Sequence, residues 1–192
     1  MKPIFAFIII VVCFVSTCDA QGKSKSLQDI ANLVQKKLTW DVQTEAKGSI
    51  MFLDVPFDYD GAAEYLTMTV AKNKSVARPA FISVIIPSDI NQANGIFITF
   101  ARTVKNSAGE FNIQIEKGLT ARLKFEKCDD SDCTARMVNG YANDKEGNSQ
   151  IDVLKNFLNY DHVVFLFLYK NGTHKSVIVP LSSFKQQYKK LL

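Results

Sequence analysis

From Trp40 to the C-terminus, hydrophobic and polar residues alternate in short runs that turn residues interrupt about every ten positions. A period of two places every second side chain on the same face, which predicts half-buried β-strands. The predicted strands are residues 50–55, 65–70, 80–86, 95–100, 111–115, 120–125, 133–138, 163–169 and 175–179. Many short strands at this spacing are typical of an all-β sandwich or barrel.

The last two strands carry the clearest topological signal. Asn171-Gly172 lies between them, and this dipeptide favours a type I′ turn, in which both central residues have positive φ. The sequence therefore predicts an antiparallel hairpin here. Residues 163–168 are apolar at nearly every position, which predicts a strand in the interior of a sheet rather than at its edge.

Apolar residues spaced by three and four predict three short helices. Ser26, with Asp29 after it, is expected to cap the first, Ser149 the second, and Ser182 or Ser183 the third. Their apolar faces are Leu27, Ile30, Val34 and Leu38; Ile151, Leu154 and Leu158; and Phe184, Tyr188 and Leu191. The predicted fold is mainly β: a sandwich of about nine short strands with an N-terminal helix, one inserted helical turn and a C-terminal helix.

The N-terminus has the pattern of a secretory leader. Lys2 precedes an apolar stretch over residues 4–15, and small residues lead to a predicted cleavage between Ala20 and Gln21. The stretch is shorter than the roughly 20 residues of a spanning helix. Alternatively, Cys18 is lipidated, and only then is membrane association expected. The predicted organisation is a leader over 1–20, a polar segment and helix over 21–39, and the sandwich over 40–192.

Cleavage would leave two cysteines, Cys128 and Cys133, which an exported protein is expected to pair. Only four residues separate them, so the disulfide is predicted to stabilise the fold by roughly 2 kcal/mol. A zinc site needs more soft ligands than His162 and His174 would add. We therefore predict no metal and no cofactor.

Charge and motifs argue against several other classes of function. A net charge of +4, which loss of the leader leaves unchanged, is too small to predict a nucleic-acid partner. No glycine-rich phosphate loop is present. The enzyme alternative depends on His162, which follows Asp161, but no G-x-S-x-G motif marks a nucleophile. No catalytic residue is predicted, and Asp58 and Asp60 are interpreted as solvated acids in a turn.

The order of several short motifs resembles the invasion-associated locus B family of exported bacterial proteins. These motifs are Trp40-Asp41-Val42, Ile85-Ile86-Pro87, Gly95-Ile96-Phe97-Ile98, Ile113-Gln114-Ile115-Glu116-Lys117-Gly118, Phe125-Glu126-Lys127-Cys128, Cys133-Thr134-Ala135-Arg136 and Val179-Pro180-Leu181-Ser182-Ser183-Phe184. The resemblance covers most of the chain after the leader. One position departs from the pattern, since Thr44 stands where the family commonly has a cysteine.

The resemblance implies an immunoglobulin-like β-sandwich in the periplasm, or secreted to the cell surface, without catalytic residues. It also implies a virulence-associated role in the invasion or colonisation of host cells, erythrocytes above all, by contact with a host-surface or bacterial envelope protein. The alternative is a periplasmic structural or inhibitor module. Such a module would block a hydrolase by inserting a loop such as residues 58–61.

Overall fold

The computed structural model describes residues 38–44, 46–59 and 62–191. These residues form twelve strands and two helices: β1 (Asp41–Thr44), β2 (Gly48–Tyr59), β3 (Ala62–Asn73), β4 (Phe81–Pro87), β5 (Ile96–Lys105), β6 (Phe111–Leu123), β7 (Phe125–Cys128), β8 (Asp132–Val138), β9 (Tyr141–Asp144), β10 (Gln150–Asp152), α1 (Val153–Asn159), β11 (His162–Leu168), β12 (His174–Pro180) and α2 (Ser182–Lys190). The predicted leader, its cleavage site at Ala20–Gln21, Cys18 and the first helix lie outside the described residues.

The strands form two antiparallel sheets of six strands each. The order in one sheet is β1-β2-β3-β4-β8-β7, and the order in the other is β10-β9-β6-β5-β11-β12. The predicted all-β sandwich is therefore confirmed. β11 lies between β5 and β12, as its two apolar faces predicted.

One hydrophobic core joins the two sheets. Alternate residues of the central strands point into it, which is the consequence of the period-two pattern. The core includes Met51, Leu53 and Val55 of β2, Leu66, Met68 and Val70 of β3, Ile82, Val84 and Ile86 of β4, and Val163, Phe165 and Phe167 of β11. The inward faces of both sheets are thus removed from water, the main favourable term in folding.

β6 differs from its prediction. Residues 111–115 and 120–125 were expected to form separate strands, but β6 is continuous from Phe111 to Leu123, and Phe125 begins β7. β5 pairs with both halves: Thr99 lies opposite Thr120, and Ala101 lies opposite Ile115. The intervening residues of β6 leave the register at Gly118, which has a φ of 80°. Glycine permits this irregularity without ending the strand.

Four strands were missed in the sequence, namely β1, β7, β9 and β10. Each has only three or four residues, which is too short to establish a period of two. Three of them, β1, β7 and β10, form outer edges of the sheets. Pairing with a longer neighbour, rather than their own pattern, specifies these strands.

The β11–β12 hairpin is confirmed, but the predicted turn type is wrong. Gly172 has a φ of 87°, whereas Asn171 is not among the residues with positive φ. Backbone hydrogen bonds from Gly172 to Tyr169 and from Tyr169 to Thr173 close a longer loop. The consecutive positive φ values of a type I′ turn occur instead at Asn139 and Gly140, where the chain passes from β8 in one sheet to β9 in the other.

Both predicted helix caps are also wrong. The cap of α1 is Asp152, whose carboxylate accepts a hydrogen bond from the Lys155 N–H at 2.9 Å. The hydroxyl of Ser149 donates to Asp144 instead, and Ile151 belongs to β10. α2 begins at Ser182 after Leu181, which makes no side-chain capping bond. Packing of Phe184 and Tyr188 holds this helix in place of a cap.

The predicted disulfide joins Cys128 of β7 to Cys133 of β8, which lie opposite each other in the register. The turn between them has its own support, because the Asp129 carboxylate accepts hydrogen bonds from the N–H groups of Ser131 and Asp132. The pKa of Asp129 is lowered by its bonds to Lys127, to the Ser131 hydroxyl and to these N–H groups. The disulfide therefore braces a turn that other contacts already define.

Replacing both cysteines with serine is expected to lower the free energy of unfolding by about 2 kcal/mol, because the closed ring is short. Urea denaturation of the variant and the parent protein measures this difference. Alkylation of the unreduced parent should leave Cys128 and Cys133 unmodified. Reaction of either thiol without reductant would contradict the pairing. Failure of the double variant to fold would contradict the prediction that the disulfide contributes only about 2 kcal/mol to stability.

Candidate protein-contact surface

The two histidines of the sequence lie at opposite ends of the β11–β12 hairpin. His162 pairs with Pro180, and His174 pairs with Leu168. His162 is buried, and its Nδ1 has no hydrogen-bond partner among the described residues. The carboxylate of Asp161 accepts a hydrogen bond from the Thr103 N–H at 2.9 Å. The structure thus gives Asp161 a role in fixing the start of β11 against β5.

Burial lowers the pKa of His162, and Lys185 adds to this shift, while Asp161 opposes it. The folded protein consequently holds the proton less tightly than the unfolded chain, whose histidine titrates near pH 6.5. Stability from this source is complete above that pH and is lost as the pH falls below it. We expect the free energy of unfolding to fall as the pH decreases below about 6.5.

His162→Gln is expected to flatten this dependence, and His174→Gln, at an exposed position, is expected to retain it. Urea denaturation at several pH values compares the three proteins. If the free energy of unfolding depends on pH in the same way in the parent and in His162→Gln, burial of His162 is not the cause of the dependence.

The other sequence candidates are only partly described. Asp58 is exposed at the end of β2, and its backbone carbonyl accepts a hydrogen bond from Lys175. Asp60 and Gly61 lie outside the described residues. Within the described part of the chain, no cluster of three or more histidine, cysteine or acidic residues could hold a metal ion.

A different feature stands out in the structure, namely the half of the β5–β6 hairpin on the turn side of the irregularity at residues 116–119 of β6. Residues 107–118 are all exposed. Three of them are large hydrophobic side chains: Phe111 is 50% exposed, Ile113 39% and Ile115 46%. Because they alternate along β6, they lie on one face of the hairpin. We call these three residues the hairpin apolar face.

The backbone of the same three residues points away from β5. The Asn106 N–H donates to the Glu110 carbonyl, so these two residues form a hydrogen-bonded pair. Hydrogen-bonded and non-hydrogen-bonded pairs alternate along antiparallel strands, so the N–H and C=O groups of Asn112 and Gln114 also point toward β5. On the other strand, the Ala101 carbonyl accepts from the Asp161 N–H. Ile115 lies opposite Ala101, so its backbone groups point outward, as do those of Ile113 and Phe111.

No described strand pairs with this outer edge. β9 pairs with β6 only at Ala121 and Arg122, well past the hairpin apolar face. An exposed strand edge with apolar side chains is a template for the addition of another strand. Natural edges are often protected by charged residues or proline, and residues 111–115 contain neither.

The hairpin is held firmly at its base and its tip. At the base, Arg102 stacks 4.3 Å from the centre of the Tyr160 ring and donates to the Asn159 carbonyl at 3.3 Å. At the tip, side-chain and backbone hydrogen bonds link Asn106 and Glu110. These contacts fix both ends of the hairpin, and a preorganised edge would lose less entropy on strand addition than a mobile one.

The residues of β6 that alternate with this face are polar, namely Asn112, Gln114 and Glu116. An open groove of about 290 Å³ is lined by Ile115 and by four polar residues, Arg102, Gln114, Glu116 and Lys117. The hairpin is therefore amphipathic as well as exposed. Other exposed hydrophobic residues of the described chain, such as Tyr65 and Val138, lie singly on other strands, as is normal for a protein surface.

The sequence predicted a strand at residues 111–115 but not its exposure. Alternation of apolar and polar residues is expected for a strand with one buried face, and nothing in the pattern shows that β5 and β6 extend past the rest of their sheet. To predict the exposure, one would need to know that β5 continues to Lys105 and that β6 leaves its register with β5 at residues 116–119.

No protein-family model, curated protein or solved structure matches the chain. The resemblance to the invasion-associated locus B family therefore stays a prediction from short motifs. In the described part of the chain, no helix has both the length and the apolar character needed to cross a membrane.

Proposed function

We propose that this domain is a binding module that contacts another protein through the outer edge of β6. The observation that supports this most is the coincidence of exposed apolar side chains and outward backbone groups at Phe111, Ile113 and Ile115. A partner strand would gain main-chain hydrogen bonds, which provide affinity, and contacts with alternate side chains, which provide specificity.

The cellular setting of this contact comes from the sequence. The leader predicts export, and the motifs resemble a family associated with the invasion of host cells. We therefore propose that the partner lies on the surface of a host cell, with erythrocytes as the first to test. The inhibitor alternative stays a prediction, because the loop that it needs is only partly described.

Co-sedimentation with intact erythrocytes tests this proposal. We expect saturable binding that persists at an ionic strength of about 0.15 M, where nonspecific attraction between exposed charges is largely screened. Ile113→Lys places a charge on the apolar edge and is expected to weaken binding at least tenfold, which corresponds to about 1.4 kcal/mol.

Val138→Lys is the matched control. It adds the same charge at an exposed apolar position, but on β8 in the other sheet, and it should bind as the parent does. Absence of binding by the parent would contradict host-cell contact. Equal binding by the parent and Ile113→Lys would contradict the role of the hairpin edge.

A further inference from the structure

We infer that the β6 edge also pairs with β6 of a second copy of this chain, in an antiparallel arrangement about a two-fold axis. This inference rests on the proposed function in one respect, since both require the outer edge of β6 to be open for strand addition. It goes further by naming an occupant of that edge and the register in which it pairs.

Symmetry restricts the registers strongly. In a two-fold pair of identical strands, residue i faces residue j and residue j faces residue i. The hairpin apolar face continues across the interface only if Phe111, Ile113 and Ile115 pair among themselves or with other odd-numbered positions. The same condition brings outward backbone groups together, so hydrogen bonds and apolar contacts favour the same set of registers.

Charge then distinguishes two central registers. A two-fold axis at Ile113 would place Glu110 of one copy opposite Glu116 of the other, and like charges directly opposite each other destabilise a sheet. An axis at Gln114 places Glu110 opposite Gly118 instead, which removes this repulsion.

The register centred on Gln114 is complementary along its length. It pairs Ile113 with Ile115, Asn112 with Glu116, and Phe111 with Lys117, each pair occurring twice. The Ile113–Ile115 contacts occupy one face, and amide and carboxylate groups occupy the other. The central Gln114 residues face each other.

The contact is short, so the dimer is expected to be weak. One strand pair of this length covers less area than a standard stable interface. The β6 edge can hold only one strand at a time, and pairing between copies would therefore compete with the partner of the proposed function. A weak dimer would shield the hairpin apolar face at high protein concentration and expose it on dilution.

A single cysteine substitution tests the register. The backbone groups of Gln114 point toward β5, so the two copies of this residue would form a non-hydrogen-bonded pair with a Cα–Cα distance of about 4.5 Å. That distance lies within the range of a disulfide. Mild oxidation of purified Gln114→Cys is expected to give a covalent dimer on a non-reducing gel, and the dimer should disappear with reductant.

Two variants serve as controls, Asn112→Cys at a neighbouring position of β6 and Val138→Cys on the other sheet. In the inferred register, the two copies of residue 112 lie four residues apart, so little covalent dimer is expected. Equal cross-linking of Gln114→Cys and either control, or no cross-linking of Gln114→Cys, would overturn the inference.

Sedimentation velocity provides an independent measurement. The parent protein should change from monomer toward dimer between about 1 µM and about 1 mM. Asn112→Lys, opposite Glu116, is expected to strengthen the dimer about threefold, and Asn112→Glu to weaken it by a similar factor. A monomer at every concentration would overturn the pairing between copies. The proposed function is tested separately, because it fails if Ile113→Lys binds erythrocytes as well as the parent does.

Discussion

Replacing Phe184 with alanine is expected to lower the free energy of unfolding by about 3–5 kcal/mol. Phe184 is completely buried, and its ring centre lies 5.4 Å from that of Trp40, 5.3 Å from that of Phe157 and 5.5 Å from that of Tyr188. The substitution removes these aromatic contacts and leaves a cavity that the surrounding side chains fill only in part. α2 lacks a side-chain cap, so the loss of this packing should weaken the helix directly.

Phe111→Ala is the matched control, since it removes the same atoms from an exposed position on the hairpin. We expect it to change the free energy of unfolding by no more than about 0.5 kcal/mol. Urea denaturation of both variants gives the comparison. Similar losses for the two would contradict the assignment of Phe184 to the core or of Phe111 to the surface.

Gly95→Ala is expected to lower the free energy of unfolding by about 2–4 kcal/mol. Gly95 precedes β5 and has a φ of 69°, which an alanine adopts with strain. In addition, a Cβ atom at this position would lie 2.2 Å from the backbone carbonyl oxygen of Leu123. Because that oxygen belongs to β6, relief of the clash would require the two strands to separate.

Gly172→Ala is the control that separates the effect of a positive φ from that of the clash with the Leu123 carbonyl. Gly172 has a similar φ of 87°, but apart from its chain neighbours no described residue has an atom within 4 Å of the Cβ position. Gly172→Ala should therefore lower the free energy of unfolding by about 1 kcal/mol, because only the backbone conformation is strained. Thermal or urea denaturation measures both variants, and a smaller loss for Gly95→Ala than for Gly172→Ala would contradict the close approach of β5 and β6.

Much of the fold could be predicted because the long strands carry their own pattern. The alternation at Leu66, Met68 and Val70 of β3 specified one buried face, and the apolar run of β11 specified an interior position. The predicted leader, which would leave two cysteines, led to the prediction of the Cys128–Cys133 pair, which the structure contains. Local signals were therefore sufficient wherever an element was long or covalently constrained.

Prediction failed where a neighbour in space decides the structure. Serine residues suggested caps for both helices, but tertiary contacts selected Asp152 for α1 and left α2 uncapped. Short strands such as β9 form only because a partner strand is present. The candidate contact surface was missed for the same reason, because the exposure of Ile113 depends on which strands lie beside β6 and how far they extend.

The pattern of residues 111–115 is the same as that of a strand with one buried face. Selection for a buried face and selection for a partner both favour alternate apolar residues. The structure distinguishes them, because Phe111, Ile113 and Ile115 lie at 39–50% exposure while the inward residues of β3 are completely buried. An amphipathic strand with an open edge is the feature on which the proposed binding function rests.

Residue-resolved amide hydrogen exchange tests the open edge of β6 most directly. In dilute protein, the amides of Ile113 and Ile115 should exchange rapidly, and those of Asn112 and Gln114 should be protected by β5. Addition of a partner strand should then protect Ile113 and Ile115. Strong protection of these two amides in the dilute, unbound protein would show that the edge is already covered and would contradict the account.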